Sequence, residues 1–261
     1  MPLERREWWK LDGAYDRPQL LQFYNCRNVK LDGFTVRASP FWTIHLLESK
    51  DCEVRNLDVF ADGHNTDGID IESSENVLVE NCVFNQGDDG IVLKSGLNRD
   101  GRDTAKPTKN VTIRNCVLNE GHGLLSIGSE LSGGVENVLL EDCRCDATVD
   151  KLLFVKSNPA RGGYVKNVTF RRGRAGAIRH DAFAIITDYF WKPEEHVGET
   201  IFAARVSDIT VEDVYAASCR KAYNLTGYGE NPIENVTIRN FKVSAPRGEN
   251  SVKCVNNLRE E

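Results

Sequence analysis

The 261-residue chain has no run of lysine and arginine of the kind that tracks nucleic-acid phosphates, and its 33 basic against 39 acidic residues leave a net charge of -6. Nucleic acid is therefore not an expected partner. No apolar run approaches the roughly 20 residues that span a bilayer, and the opening MPLERREWWKLDG lacks the apolar centre of a signal peptide. A membrane partner is not expected either. A cytoplasmic location fits the chain as given, with secretion or a periplasmic location as the alternative if the native N-terminus is missing. Proline is scarce, at 8 residues, while 40% of the chain is apolar, which argues for a packed core over disorder. The 8 cysteines lack the Cys-x-x-Cys pairing of zinc sites, and in a chain this long they do not read as a disulfide framework.

What is present is a repeat. Asn or Asp, an apolar residue, any residue, an apolar residue, any residue and then usually Asn or Asp recurs as NVKLDGF from Asn28, DCEVRNL from Asp51, NVLVENC from Asn76 and NVTIRNC from Asn110. It continues as NVLLEDC from Asn137, NVTFRRG from Asn167, DITVEDV from Asp208 and NVTIRNF from Asn235. The period of two predicts strands, and starts separated by 23 to 41 residues predict constant strands joined by turns of variable length. The expected fold is all-β: a parallel β-helix solenoid of about eight or more coils, one domain over residues 1–261 with residues 1–20 as a cap or edge segment.

Stacked coils turn equivalent positions into columns. The seventh position of the repeat (Phe34, Leu57, Cys82, Cys116, Cys143, Gly173, Val214, Phe241) is expected to point inward, so three thiols fill the core side by side. Asn28, Asn76, Asn110, Asn137, Asn167 and Asn235 are expected to stack at a bend, their amides bonding backbone and one another. A second strand series aligns DGIDIES, DGIVLKS, LLSIGS and LLFVKS. It sends Ile69, Ile91, Leu125 and Leu153, then Ile71, Leu93, Ile127 and Val155, inward, and leaves Asp70, Val92, Ser126, Phe154, Glu72, Lys94, Gly128 and Lys156 on the outer face.

In this register Asp67 and Asp89 are equivalent on adjacent coils and Asp88 stands beside them. Asp-Gly is a common turn dipeptide, and each acid taken singly reads as a turn former. Three together, with His122 on the next coil and Lys156 on the one after, read as chemistry: mutual repulsion raises the proton affinity of at least one carboxyl, and glycoside hydrolysis uses one protonated and one ionised carboxyl. Lys94 is balanced between a solvated charge and a site residue, whereas Lys156 suits an anionic substrate. Glu75 and Glu80 are expected to be solvated.

NTDGID (Asn65 to Asp70), GDDGIVLKSG (Gly87 to Gly96), GHGLLSIGSE (Gly121 to Glu130) and FVKSNPARGG (Phe154 to Gly163) resemble the ordered motif set of glycoside hydrolase family 28, the polygalacturonases and their pectin-cleaving relatives. SPFWTIH, Ser39 to His45, resembles its bacterial branch, and the likeness covers about residues 20 to 256. The resemblance implies a right-handed parallel β-helix that inverts the anomeric centre of a pectic polysaccharide or oligosaccharide, with no metal and no cofactor. It implies Asp88 as general acid, Asp67 and Asp89 as holders of the attacking water, His122 as support for the acid, and Lys156 as a carboxylate-binding cation. Asn65, Asp70, Lys94 and Arg161 lie in or beside the same motifs as candidate substrate contacts. For inversion, about 6.5–9.5 Å between acid and base is expected.

Two departures from the family pattern stand out. Phe154 occupies the place of an arginine that would grip a galacturonate carboxylate; an aromatic face there suits stacking on a sugar ring and leaves a rhamnose-containing substrate open, with Arg161 or Arg179 as possible replacements. The first clear coil also comes early, at Asn28, so MPLERREWWKLDG, with Trp8 and Trp9, is expected to pack over the coil edge or to mediate a dimer in place of a monomer. The long intervals holding NRDGRDTAKPT and DYFWKPEEHVGE are expected to form loops that wall the cleft. Rivals of another class are a β-eliminating lyase and a catalytically inactive, carbohydrate-binding β-helix.

Overall fold

Period-two alternation puts apolar side chains on one face of each strand, and a succession of such strands buries that face by coiling around a common axis. The computed structural model, which describes residues 17–189 and 200–261, is a parallel β-helix. Nine parallel strands stack in one sheet, here the motif sheet: Leu21–Tyr24, Ile44–Leu47, Ile69–Glu72, Ile91–Lys94, Gly123–Gly128, Lys151–Lys156, Asp181–Ile186, Lys221–Thr226 and Ser251–Lys253. A fifteen-stranded sheet wraps the remainder of the axis, its two arms joined through the long strand Arg205–Cys219.

The register of the motif sheet is the one the sequence alignment predicts. Ile69 pairs with Ile91, Ile91 with Leu125 and Leu125 with Leu153, while Ile71, Leu93, Ile127 and Val155 form the parallel row. All eight are fully buried. Each such side chain contributes about 1.5–3 kcal/mol of transfer free energy, so a slip of one residue, which would turn every one of them outward, is strongly disfavoured.

The bends are set by asparagine. Asn28, Asn76, Asn110, Asn137, Asn167 and Asn235 all adopt the left-handed conformation, with φ of 54 to 59°, which Asn tolerates better than other L residues. Their amides also form a ladder: Asn76 donates to Asp51 at 2.8 Å, Asn110 to Asn76 at 3.0 Å, Asn137 to Asn110 at 3.1 Å and Asn167 to Asn137 at 2.8 Å. Inside the coil, Cys82, Cys116 and Cys143 are buried in the expected column, and all eight cysteines are free thiols. Phe34 departs from that column: it is 37% exposed beside Thr35–Arg37, the terminal strand of its sheet, where no described strand packs over it.

Two expectations are corrected. The NRDGRDTAKPT interval, expected as a loop, contains the helix Asn98–Thr104, ended by Ala105 in the left-handed conformation with its N–H bonded to the Gly101 carbonyl at 2.9 Å. Glu80, expected to be solvated, is buried between Arg55 at 2.5 Å and Arg114 at 2.6 Å, and Glu75 pairs with Lys50 at 3.3 Å. The reason is the stacking itself: Arg55, Glu80, Arg114, Glu141, Arg171, Glu212 and Arg239 occupy one register position on successive strands and alternate in sign. Trp8, Trp9 and all but the first two residues of the DYFWKPEEHVGE interval lie outside the described residues.

Candidate active site

Asp67 and Asp89 stand two residues ahead of the paired Ile69 and Ile91, at the entry of adjacent motif-sheet strands. The backbone ties the coils together there: the Gly68 N–H donates to the Asp89 carbonyl at 3.0 Å and the His122 N–H to the Asp88 carbonyl at 2.8 Å. One carboxylate oxygen from each of Asp67, Asp88 and Asp89 lies within 4.8 Å of the other two. Asp67 and Asp89 are buried, whereas Asp88 is half-buried and opens to the cleft. Gly123 follows Asp89 on the next strand, and a Cβ there would sit 2.8 Å from Asp89 Oδ1, so only glycine leaves the carboxylate its place.

The neighbouring charges fix protonation. Burial, then the Asp70, Asp88 and Asp89 charges, hold the Asp67 carboxyl well above the usual carboxylate range despite Lys94. For Asp88 burial acts in the same direction but is outweighed by the His122 hydrogen bond and charge and by Lys156 and Lys94, so it is held below that range. His122 Nδ1 lies 3.0 Å from Asp88 Oδ1, and this hydrogen bond raises the imidazole above its ordinary value although burial opposes it. These directions favour a proton on Asp67 and charge separation between Asp88 and His122. Lys156 Nζ is 3.0 Å from Asp89 Oδ2; burial disfavours its charge, but Asp89 and Asp88 outweigh burial and keep it an ammonium.

A cleft of about 330 Å³ collects Asn65, Asp67, Asp88, Asp89 and His122 with Lys94, Lys156 and Arg161. Asn65 donates to Asp88 Oδ2 at 3.5 Å, and Arg161 donates to Asn98 of the helix at 2.9 Å. Lys94 is buried against Glu130 at 2.6 Å and over the Trp42 ring at 4.6 Å, which makes it part of the floor more than a free charge. A groove of about 510 Å³ on the other sheet, between Tyr164 and Glu234, gathers no comparable cluster. The three clustered oxygens would suit a hard cation, but Lys156 already brings positive charge to Asp89.

Three candidates fall outside the cleft lining. Asp70 is fully buried beneath it, 3.9 Å from Lys94, with neither oxygen hydrogen-bonded. Phe154, expected to stack on sugar, is 8% exposed: its edge meets Tyr189 at a centroid distance of 5.6 Å, and Lys151 and Lys156 lie 4.6 and 5.4 Å from the ring. Its column neighbours Ser126 and Ala184 are small, so the ring is taken up by the protein itself. Arg179 is paired with Asp150 at 2.9 Å and does not line the cleft. One oxygen of each of the three carboxyls lies within 4.8 Å of the others, whereas the spacing expected for inversion, about 6.5–9.5 Å, is between whole carboxyl groups.

Trp42, His64, Glu130 and Tyr189 line the cleft without having been singled out in the sequence. His64 directly precedes NTDGID, and Trp42 and Glu130 sit inside quoted motifs, so adjacency was the missed signal. Burial holds His64 below the ordinary histidine range, and Lys94 pulls the Glu130 carboxyl down to about 2. Tyr189 is the second residue of the DYFWKPEEHVGE interval, which was expected to wall the cleft.

The family model for glycosyl hydrolases family 28 matches residues 4–260. The chain belongs to glycosyl hydrolases family 28. Among the similar proteins, a probable polygalacturonase of Vitis vinifera is 28% identical over 90% of this chain and 49% of its own length. A polygalacturonase of Ralstonia solanacearum is 36% identical over 64% of this chain and 37% of its own. The crystal structure of a hyperthermoactive exopolygalacturonase from Thermotoga maritima superposes with a TM-score of 0.88 at 29% identity, covering 100% of this chain and 61% of that one. The family 28 chain described here thus spans about half the length of the Vitis relative.

Proposed function

We propose that this family 28 chain hydrolyses glycosidic bonds of pectic polysaccharide or oligosaccharide built on galacturonic acid. The observation that carries the proposal is the convergence of three carboxyls, two buried and one open to the cleft, with an imidazole on the open one and an ammonium on a buried one. Asp88, the accessible member, protonates the departing glycosidic oxygen. Asp67 and Asp89 hold a water, and Asp89, the carboxylate bonded to Lys156, takes its proton as its oxygen bonds to the anomeric carbon, so the bond broken is C–O and the water is divided between the two products.

The proton that Asp88 delivers is held in the free site by the Asp88–His122 hydrogen bond. An anionic sugar that draws Lys156 toward its own carboxylate weakens one of the charges holding Asp88 ionised, which moves Asp88 toward its acid form as substrate binds. The polygalacturonases similar to this chain support a galacturonide substrate, and the burial of Phe154 removes the argument for a rhamnose-facing subsite. The Asn98–Thr104 helix backs the cleft residue Arg161, which donates to Asn98 at 2.9 Å, and Arg102 donates to the carbonyls of Ala160 and Arg161 at 2.8 and 3.1 Å.

Incubation with polygalacturonate and with rhamnogalacturonan, side by side, tests this. New reducing ends from polygalacturonate without an ultraviolet-absorbing unsaturated product are expected, and proton NMR of the first product reads the anomer. Absence of cleavage of every pectic polymer and oligomer defeats the proposal; an unsaturated product points to a lyase.

A further inference from the structure

The column that holds Asp67 and Asp89 does not end with them. Strand pairing continues it through Gly123 to Lys151, with Asp181 and Lys221 beyond. Lys151 therefore stands two inter-strand steps, roughly 10 Å, along the axis from Asp89, and the intervening position has no side chain. Its backbone is fixed beside the site, because the Lys151 N–H donates to the His122 carbonyl at 2.8 Å.

Its ammonium has no carboxylate of its own. Asp89 is bonded to Lys156 at 3.0 Å, Asp150 to Arg179 at 2.9 Å, and Asp181 to Arg220 by two bonds of 2.9 Å and to Asn224 at 3.1 Å. Among the described residues Lys151 makes no ion pair, and it rests over the Phe154 ring at 4.6 Å. An aromatic platform attracts a cation without neutralising it. Burial holds the group below the ordinary lysine range even though Asp150, Asp181 and Asp89 draw it the other way. A half-buried cation that every nearby acid has already passed over is a vacancy for an external anion.

We propose that Lys151, carried on Phe154, binds the carboxylate of the sugar neighbouring the one cleaved and so sets a preference for uronate chains. The assignment rests on the acid column being a glycosidase site. Lys156 serves the cleaved bond, and Lys151 serves the sugar one place along the axis.

Steady-state kinetics on an oligogalacturonate of several residues, for the wild type, Lys151→Met and Lys151→Arg, tests this. Lys151→Met is expected to raise KM about tenfold, the equivalent of 1.4 kcal/mol, with kcat within about twofold. Lys151→Arg is expected to restore most of the loss, and the KM of the wild type to rise more steeply with ionic strength than that of Lys151→Met, which keeps Lys156. An unchanged KM, an equal fall in kcat, or failure of Arg to restore binding overturns the assignment. Wild-type protein that cleaves no oligogalacturonate defeats the glycosidase proposal itself, a distinct outcome from active wild type with an indifferent Lys151→Met.

Discussion

Two columns of charged side chains run along the same axis and follow opposite rules. On the fifteen-stranded sheet, Arg55, Glu80, Arg114, Glu141 and Arg171 alternate in sign, and Glu80 and Glu141 each bond to two arginines. On the motif sheet, Asp67 and Asp89 stack like on like with Asp88 beside them, and the nearest cations are shared. Both columns use the same inter-strand step of about 4.8 Å, at which like charges repel and opposite charges pair. The alternating column is at rest; the acid column holds unrelieved repulsion, and that repulsion is what moves proton affinities to where acid–base chemistry needs them.

The comparison breaks most visibly through activity. Asp88→Asn removes the only accessible acid of the cluster, and a fall in kcat of about 10²–10⁴ is expected in a reducing-end assay. A next, smaller effect is a displaced pH profile. His122 is raised by Asp88, so the proton of the pair leaves above the ordinary histidine range and sets the alkaline limb of kcat/KM. In His122→Ala that proton has only the carboxyl to sit on, so the limb moves to lower pH; a limb that stays in place shows that His122 does not hold the acid's proton.

Stability should respond with opposite signs in the two columns. Glu80→Lys places three cations in succession where the pairs were, and a loss on the order of 2 kcal/mol, with activity kept, is expected from urea unfolding. Asp67→Asn should do the reverse. The folded pKa of Asp67 lies above its unfolded value, so at higher pH folding must either take up a proton at Asp67 or bury its charge; that cost vanishes as pH falls below the unfolded carboxyl range. The variant should melt higher at pH 7, about 2–4 °C for each 1 kcal/mol, and the gap should close in acid. A lower melting temperature at pH 7 would remove the claim of stored repulsion.

Much of this was legible because a solenoid converts sequence position into space. The register of Ile69, Ile91, Leu125 and Leu153 followed from aligning four motifs, and the clustering of Asp67, Asp88 and Asp89 followed from the register. The alternating column and Lys151 were equally countable, since both lie at fixed offsets from positions already aligned. Phe154 was misplaced for a different reason: its face of the sheet follows from alternation, but whether that face meets substrate or Tyr189 depends on a segment far along the chain with no repeat to locate it. The helix at Asn98 was hidden likewise, in an insertion with no column to belong to.

The most direct test measures binding and turnover on one pair of proteins. Wild type and Asp88→Asn are titrated with an oligogalacturonate by calorimetry and assayed for reducing ends on the same substrate. The account predicts dissociation constants within a few-fold of each other and product from the wild type alone. Product formation by Asp88→Asn at the wild-type rate would contradict it.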